Sequence, residues 1–228
     1  VDDLADRLAA VDARIADAAR AAGRDPSAIT RIVVTKFHPA EMAAHLYRLG
    51  VRDLGENRQQ ELTAKSAELG GLEGLRWHFI GQAQTKKARA IRAAASVVHS
   101  VDRERLADAL EQAAGTGADV LDVLLQVNLT DDPDRGGVTP DALERLAEHV
   151  AGCRTLRVRG IMAVAPLDEH PAAAFARLAG YAQRLRTVVP DADWISAGMT
   201  ADFAEAIAAG ATHLRIGSAI TGSRPVRN

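Results

Sequence analysis

Thiols are nearly absent from this chain. Cys153 is its one cysteine, so no internal disulfide can form, which fits a reducing compartment. Aromatic residues make up 4% of the composition, too few to suggest a base-stacking platform for nucleic acid. Neither sign of charge dominates: 28 Lys and Arg stand against 30 Asp and Glu, so no global basic balance draws the protein to nucleic acid or anionic lipid. No apolar run approaches the roughly 18 residues of a membrane span. The opening VDDLADRLAAVDARI is acidic and periodic, unlike a basic-then-apolar secretion signal. The histidines and the cysteine form no HxxxH or CxxC spacing, which argues against a metal site. GxGxxG and GxxxxGK[ST] are missing, which argues against dinucleotide and nucleoside triphosphate binding. The expectation is a soluble, cytoplasmic protein that binds neither nucleic acid nor membrane.

Lysine is scarce as well. Only Lys36, Lys65, Lys86 and Lys87 are present, and every other basic residue is arginine. A lysine beside an apolar run is therefore worth explaining.

What the sequence does have is alternation. Short β-branched runs follow one another with alanine-rich helical segments between them. Residues 2–22 predict an opening helix, with Leu4, Leu8, Val11, Ile15 and Ala18 spaced by three or four. Strands are predicted at 32–37, 53–56, 77–81, 96–101, 119–127, 158–164, 194–198 and 212–217. A helix follows each of the first seven: after Pro39 through about Leu49, then 57–69, 84–95, 103–114, 139–151, 171–188 and 201–209. Each parallel return needs a crossover, and eight such units in this length predict a single-domain (β/α)8 barrel with an extra N-terminal helix. An open doubly wound sheet is the competing arrangement. No domain boundary interrupts residues 1–228.

A parallel barrel works from the C-terminal ends of its strands. That rule selects Lys36, Glu56 to Arg58, Gly81 and Gln82, His99 and Ser100, Asn128, Met162, Ser196 to Thr200, and Arg215 to Ser218. Lys36 ends the run Ile32-Val33-Val34-Thr35, and alternation puts it on the face of Val34 and Ile32. If that face is the interior, the amine stands in the mouth among apolar groups, where desolvation favours its neutral, nucleophilic form. The other reading is a strand-end lysine reaching solvent. Thr200 stands where a helix N-cap hydroxyl belongs, with Asp202 in the first turn. Gly217 and Ser218 follow strand eight. The loops after strands seven and eight form the common phosphate site of this fold. Arg215, two residues before Gly217, either reaches the barrel centre or makes a structural ion pair. Asn57 either caps the next helix or contacts a ligand. His78 and His99 are as readily structural as functional.

The segments VVTKFHP (33–39), GENRQQE (55–61), WHFIG (77–81), HSVD (99–102), QVN (126–128), GIMAV (160–164), SAGMTADFAEAI (196–207) and RIGSAITG (215–222) run in order through nearly the whole chain. In them the chain resembles the pyridoxal-phosphate homeostasis proteins, whose barrel is similar to the N-terminal domain of alanine racemase. The resemblance implies that Lys36 holds pyridoxal 5'-phosphate as a Schiff base. It implies that Thr200, Gly217 and Ser218 hold the phosphate across the mouth from that amine, and that Arg215 faces the pyridine nitrogen. Asn57 and Met199 complete the implied cofactor-binding set. The chain departs from the family pattern at Ala83, Lys86-Lys87, Ala197, Thr200 and Thr221, although Thr200 keeps a hydroxyl.

An arginine beside the pyridine nitrogen keeps that nitrogen unprotonated and weakens the ring as an electron sink. The racemases that share this barrel add a second domain and a second acid–base residue. The sequence continues only to Asn228, and Tyr47 and Tyr181 both fall in predicted helices. The resemblance therefore implies a cofactor carrier of little or no turnover, acting as a monomer in pyridoxal-phosphate homeostasis, with pyridoxal-phosphate-dependent apo-enzymes as partners. The alternatives are a small pyridoxal-phosphate-dependent amino-acid racemase and a cofactor-free barrel enzyme for sugar phosphates.

Overall fold

The computed structural model describes residues 3–223. Residue 2 of the predicted opening helix and Arg224, just past strand eight, lie outside them. Helix α1 (Asp3–Ala21) forms because Leu4, Leu8, Val11, Ile15 and Ala19 fall on one buried stripe. Gly23, at φ 66°, ends it in the left-handed conformation that glycine adopts freely.

The rest is the repeating unit that the alternation predicts. The chain passes through β1 (Thr30–Val34), α2 (Ala40–Arg48), β2 (Asp53–Glu56), α3 (Gln59–Glu68), β3 (Arg76–Phe79), α4 (Ala88–Ala94), β4 (Val97–Val101), α5 (Glu104–Gln112) and β5 (Leu121–Gln126). It continues through α6 (Leu143–Ala151), β6 (Leu156–Met162), α7 (Pro171–Val188), β7 (Trp194–Ser196), α8 (Phe203–Ala208), β8 (His213–Ile216) and α9 (Ser218–Thr221). The eight strands form one closed barrel in sequence order, every pair parallel, with β8 returning to pair with β1. The closed ring decides against the open sheet. Helix α1 packs against α8, and Arg14 lies 5.0 Å from the centre of the Phe203 ring. No helix among the described residues is long and apolar enough to cross a membrane.

Alternation along the strands makes two interiors. Val33, Leu54, Val98, Val123, Ile161, Ile195 and Leu214 face outward into the main core beneath the helices. The inward positions include a small apolar cluster of Val97, Leu124 and Met162, with Trp194 against it. Much of the remaining interior is polar: Asp53, His78, His99, Ser196, His213 and Arg215 are all buried. A barrel of this kind is usually filled by branched aliphatic residues, so this polar column must have its hydrogen bonds met from within.

Candidate functional site at the barrel mouth

Lys36 is not in a strand. β1 ends at Val34, and residues 35–38 turn, the His38 N–H donating to the Thr35 carbonyl at 3.1 Å. Phe37, third in that turn, has φ 69° and is the only non-glycine residue with positive φ among those described. This corrects the predicted strand 32–37. It also corrects the enclosed amine: Lys36 is exposed, and its Nζ lies 5.8 Å from the centre of the Phe37 ring. The buried lysine is Lys65 of α3. Its Nζ donates to Glu56 Oε1 at 2.5 Å and to the Thr35 carbonyl at 2.8 Å. Burial pushes the Glu56 carboxyl up, against the opposing pull of Lys65 and the Thr35 hydroxyl.

Closure of the barrel sets Lys36 beside the β8 loop. Ile32 is in register with Arg215 and Val33 with Ile216. A side chain at Gly217 would begin 3.7 Å from Val34 Cβ, an ordinary contact distance between the two strand ends. The β8 loop, expected to lie across the mouth from Lys36, therefore follows the neighbouring strand. Gly217 caps α9, and the Ile220 and Thr221 N–H groups return to its carbonyl. Ser218 is exposed and Gly217 half-buried.

Arg215 does reach the interior. It is 5% exposed, and its Nη1 and Nη2 donate to Ser196 Oγ at 2.7 Å and to the Ala163 carbonyl at 2.9 Å. Among the described residues it makes no ion pair, which disposes of the structural-pair alternative. Burial without a carboxylate in contact lowers its pKa to about 10.

Behind Arg215 runs a column of hydrogen bonds. Ser196 Oγ lies 2.9 Å from His99 Nδ1, His99 Nε2 lies 2.9 Å from His78 Nδ1, and His78 Nε2 lies 2.8 Å from Asp53 Oδ1. Asp53 also accepts from Arg76. The donor inventory fixes the direction. A carboxylate only accepts, so neutral His78 carries its proton on Nε2 and accepts at Nδ1. His99 then donates from Nε2 and accepts the Ser196 hydroxyl, whose lone pair takes the Arg215 N–H. Both imidazoles are held neutral by burial, His99 well below the ordinary histidine value and His78 below it despite Asp53.

Two capping expectations are corrected. Helix α8 starts at Phe203, and its cap position is Asp202, not Thr200. Asp202 Oδ1 accepts the Met199 N–H at 2.6 Å, and this local turn delays the helix. Thr200 is half-buried and Met199 is 40% exposed, both in the loop after β7. Asn57 does not cap α3, whose cap position is Arg58. Its Oδ1 is buried with no partner. A Cβ at Gly81 would stand 1.9 Å from the Asn57 carbonyl oxygen, so only glycine lets the ends of β2 and β3 approach this closely.

The C-terminal end of the barrel thus carries Lys36 just after β1, Arg215 in β8 with Gly217 and Ser218 just after it, Met199 and Thr200 after β7, and Asn57 after β2. A separate groove of about 800 Å³ lies between the loops after β5 and β6, lined by Leu129, Arg135, Leu167, Arg177 and Tyr181 among others. It includes Asn128 of the strand-end candidates but none of the cofactor-binding set that the resemblance implies. Among the described residues no three His, Cys, Asp or Glu side chains gather as a metal site. Sequence reasoning missed Asp53 and Lys65. Lys65 carried a signal, four positions after Glu61 on one helix face in a chain with few lysines.

The family described as alanine racemase, N-terminal domain, matches residues 7–225. A Pseudomonas aeruginosa protein named pyridoxal phosphate homeostasis protein is 41% identical over 221 residues, which span 97% of this chain and 96% of that one. Among solved structures, PipY of Synechococcus elongatus with PLP bound is similar at a TM-score of 0.83 and 34% identity, over 96% of this chain and 100% of that one. Alanine racemase from Corynebacterium glutamicum is similar in fold, with a TM-score of 0.65 and 16% identity over 93% of this chain but 60% of the racemase.

Proposed function

We infer function from the premise that this chain belongs to the alanine racemase N-terminal domain family and, within it, to the pyridoxal phosphate homeostasis proteins. We propose that its barrel mouth binds pyridoxal 5'-phosphate and that the protein carries the cofactor in the cytoplasm with little or no turnover of its own. When bound, the cofactor supplies an aldehyde that condenses with a primary amine, and Lys36 is the amine in this reading. The exposed Ser218 and the Gly217 backbone, beside Lys36 on the next strand, with Thr200 from the β7 loop, hold the phosphate. Asn57 and Met199 line the remaining sides.

The observation that carries the reading is Arg215. A guanidinium has only N–H donors, and this one is buried, in register with the strand that leads to Lys36, and spends two donors on a hydroxyl and a carbonyl rather than on a carboxylate. Such a group fits a ring nitrogen as its acceptor. It keeps that nitrogen unprotonated, and the His99–His78–Asp53 column behind it holds the guanidinium in place. Carbanion chemistry then lacks its main stabiliser. Tyr47 spends its hydroxyl on the Glu73 carbonyl at 2.9 Å, far from a role as second base. Recipient apo-enzymes are the partners this reading implies, and a monomer its simplest assembly.

The test is direct titration of the purified protein with pyridoxal 5'-phosphate, followed by incubation with each amino acid. A visible absorption band that borohydride abolishes, absent in Lys36→Ala, supports binding through Lys36. Turnover of any amino acid near the ~1 s⁻¹ low end of ordinary enzymes would instead make the protein a racemase or related enzyme.

A further inference from the structure

The turn that carries Lys36 is held in a costly conformation by groups that the cofactor reading does not use. A four-residue turn with positive φ at its third position is the type II pattern, and that position normally takes glycine. Here it is Phe37, at φ 69°. Strain of this kind persists only where the surroundings over-determine it, and it concentrates at functional sites.

Three charged side chains of β2 and α3 hold the backbone of the turn, and Arg58 lies 4.9 Å from the centre of the Phe37 ring. Glu61 Oε2 accepts the Phe37 N–H at 2.7 Å. Lys65 Nζ holds the Thr35 carbonyl at 2.8 Å, the same oxygen that closes the turn by accepting from His38. Thr35 Oγ1 donates to Glu56 Oε1 at 2.5 Å, and that oxygen also takes the Lys65 ammonium. Lys65 lies 3.8 Å from Glu61, which ties the two carboxylates together. Glu56 is fully buried and the Lys65 side chain is 6% exposed, so the clamp works at low dielectric, where its bonds are strong. Glu56, the last residue of β2, and Glu61 both come from GENRQQE, a motif for which Asn57 alone does not account.

We propose that Glu61, Lys65 and Glu56 are positioning residues for Lys36: they fix the Thr35–His38 turn with Phe37 left-handed, and so set how fast the Lys36 amine captures an aldehyde-bearing phosphate ligand. The proposal rests on Lys36 being the capturing amine. The capture forms one C=N bond between Nζ and the aldehyde carbon and releases the aldehyde oxygen as water. Glu61 is the most informative position, because its hydrogen bond holds the turn at the Phe37 N–H and it is itself partly exposed.

The test compares wild type with Glu61→Gln, Glu61→Ala, Phe37→Gly and the double variant Phe37→Gly/Glu61→Ala. Each is mixed with pyridoxal 5'-phosphate, quenched with borohydride at intervals, and the Lys36 peptide is quantified by mass spectrometry. Hydrogen exchange of the Phe37 amide and the melting temperature are read on the cofactor-free proteins. Glu61→Ala should slow labelling about tenfold or more, because misplacing a reacting group by an ångström costs up to about a hundredfold. It should also speed exchange at Phe37. Glu61→Gln keeps an acceptor and should stay near wild type. Glycine takes positive φ without strain, so Phe37→Gly should restore most of the rate lost in Glu61→Ala. Wild type labelled at Lys36 with Glu61→Ala equally fast overturns the clamp alone, as does a double variant as slow as Glu61→Ala. Wild type unlabelled at Lys36 overturns the cofactor reading and the clamp with it.

Discussion

Lowering the pH should unfold this protein through its barrel interior, and the size of the effect follows from three histidines. His78, His99 and His213 are all buried, and in each case burial is the main cause that depresses the pKa, to about 3 for His213. An unfolded histidine titrates near ~6.5. The folded value is the lower one, so below about pH 6.5 the unfolded chain binds more protons. Stability is therefore fully present above that pH and falls as the pH drops toward the folded values. An imidazole held neutral across this range gives a slope of up to about 1.4 kcal/mol per pH unit. Between pH 6 and 5 His213 alone should take away about 1 kcal/mol, and His99 and His78 add to the loss in the same direction. A domain of this kind has roughly 5–15 kcal/mol to lose. His38, lowered by burial and by Lys65, adds in the same direction. Asp53, whose bonds from His78 and Arg76 outweigh burial and lower its pKa, contributes only in a more acid window, below about 4. Urea unfolding at pH 7, 6 and 5 measures this directly. His99→Gln should remove about 1.4 kcal/mol per pH unit from the slope while costing stability at pH 7. A midpoint that stays level from pH 6.5 to 5 would refute the neutral column, and with it the assigned direction of its hydrogen bonds.

Three further outcomes are expected. Lys65→Met leaves Glu56 buried without its cation and should cost about 3–5 kcal/mol in urea unfolding, most of it regained in Lys65→Met/Glu56→Gln; a loss under about 1 kcal/mol would show that the pair is not buried as described. Gly81→Ala drives a Cβ into the Asn57 carbonyl and should lower the melting temperature by an amount equivalent to about 1–3 kcal/mol, whereas an unchanged melting temperature would refute the close approach. Thr200→Val removes a hydroxyl from the proposed phosphate loop and should weaken pyridoxal 5'-phosphate binding about tenfold or more in equilibrium dialysis, the worth of a hydrogen bond to a charged group; unchanged affinity would take Thr200 out of the site.

The barrel was legible because both of its periodicities are written locally. The helical stripe of α1 and the β-branched runs of β1, β4 and β5 need no tertiary information. The misplaced boundaries have local causes of another kind. The β1 prediction ran to residue 37 because Thr35-Lys36-Phe37 continues a plausible strand, and nothing in the sequence signals a left-handed phenylalanine. The α8 prediction began early because Thr200 is a good capping residue, while the Asp202 carboxylate took the Met199 N–H instead. At the mouth, alternation put Lys36 and Arg215 at the ends of the first and last strands. The predicted barrel already makes those two strands neighbours, so the β8 loop belongs beside the lysine and not across the mouth from it. The histidine column, by contrast, was illegible. Asp53, His78, His99 and Ser196 come from four different strands, and only their register brings them into line. The scarcity of lysine did point to a buried amine, but to the wrong one: Lys65 is enclosed by its carboxylates, and Lys36 is exposed.

In the proposed function Lys36, and not the buried Lys65, takes the cofactor. Peptide mapping of the wild-type protein after saturation with pyridoxal 5'-phosphate and borohydride reduction tests it in one step. The account expects the mass increment on the peptide containing Lys36 alone. An increment on Lys65, Lys86 or Lys87, or none on any lysine while the cofactor stays bound, would contradict it.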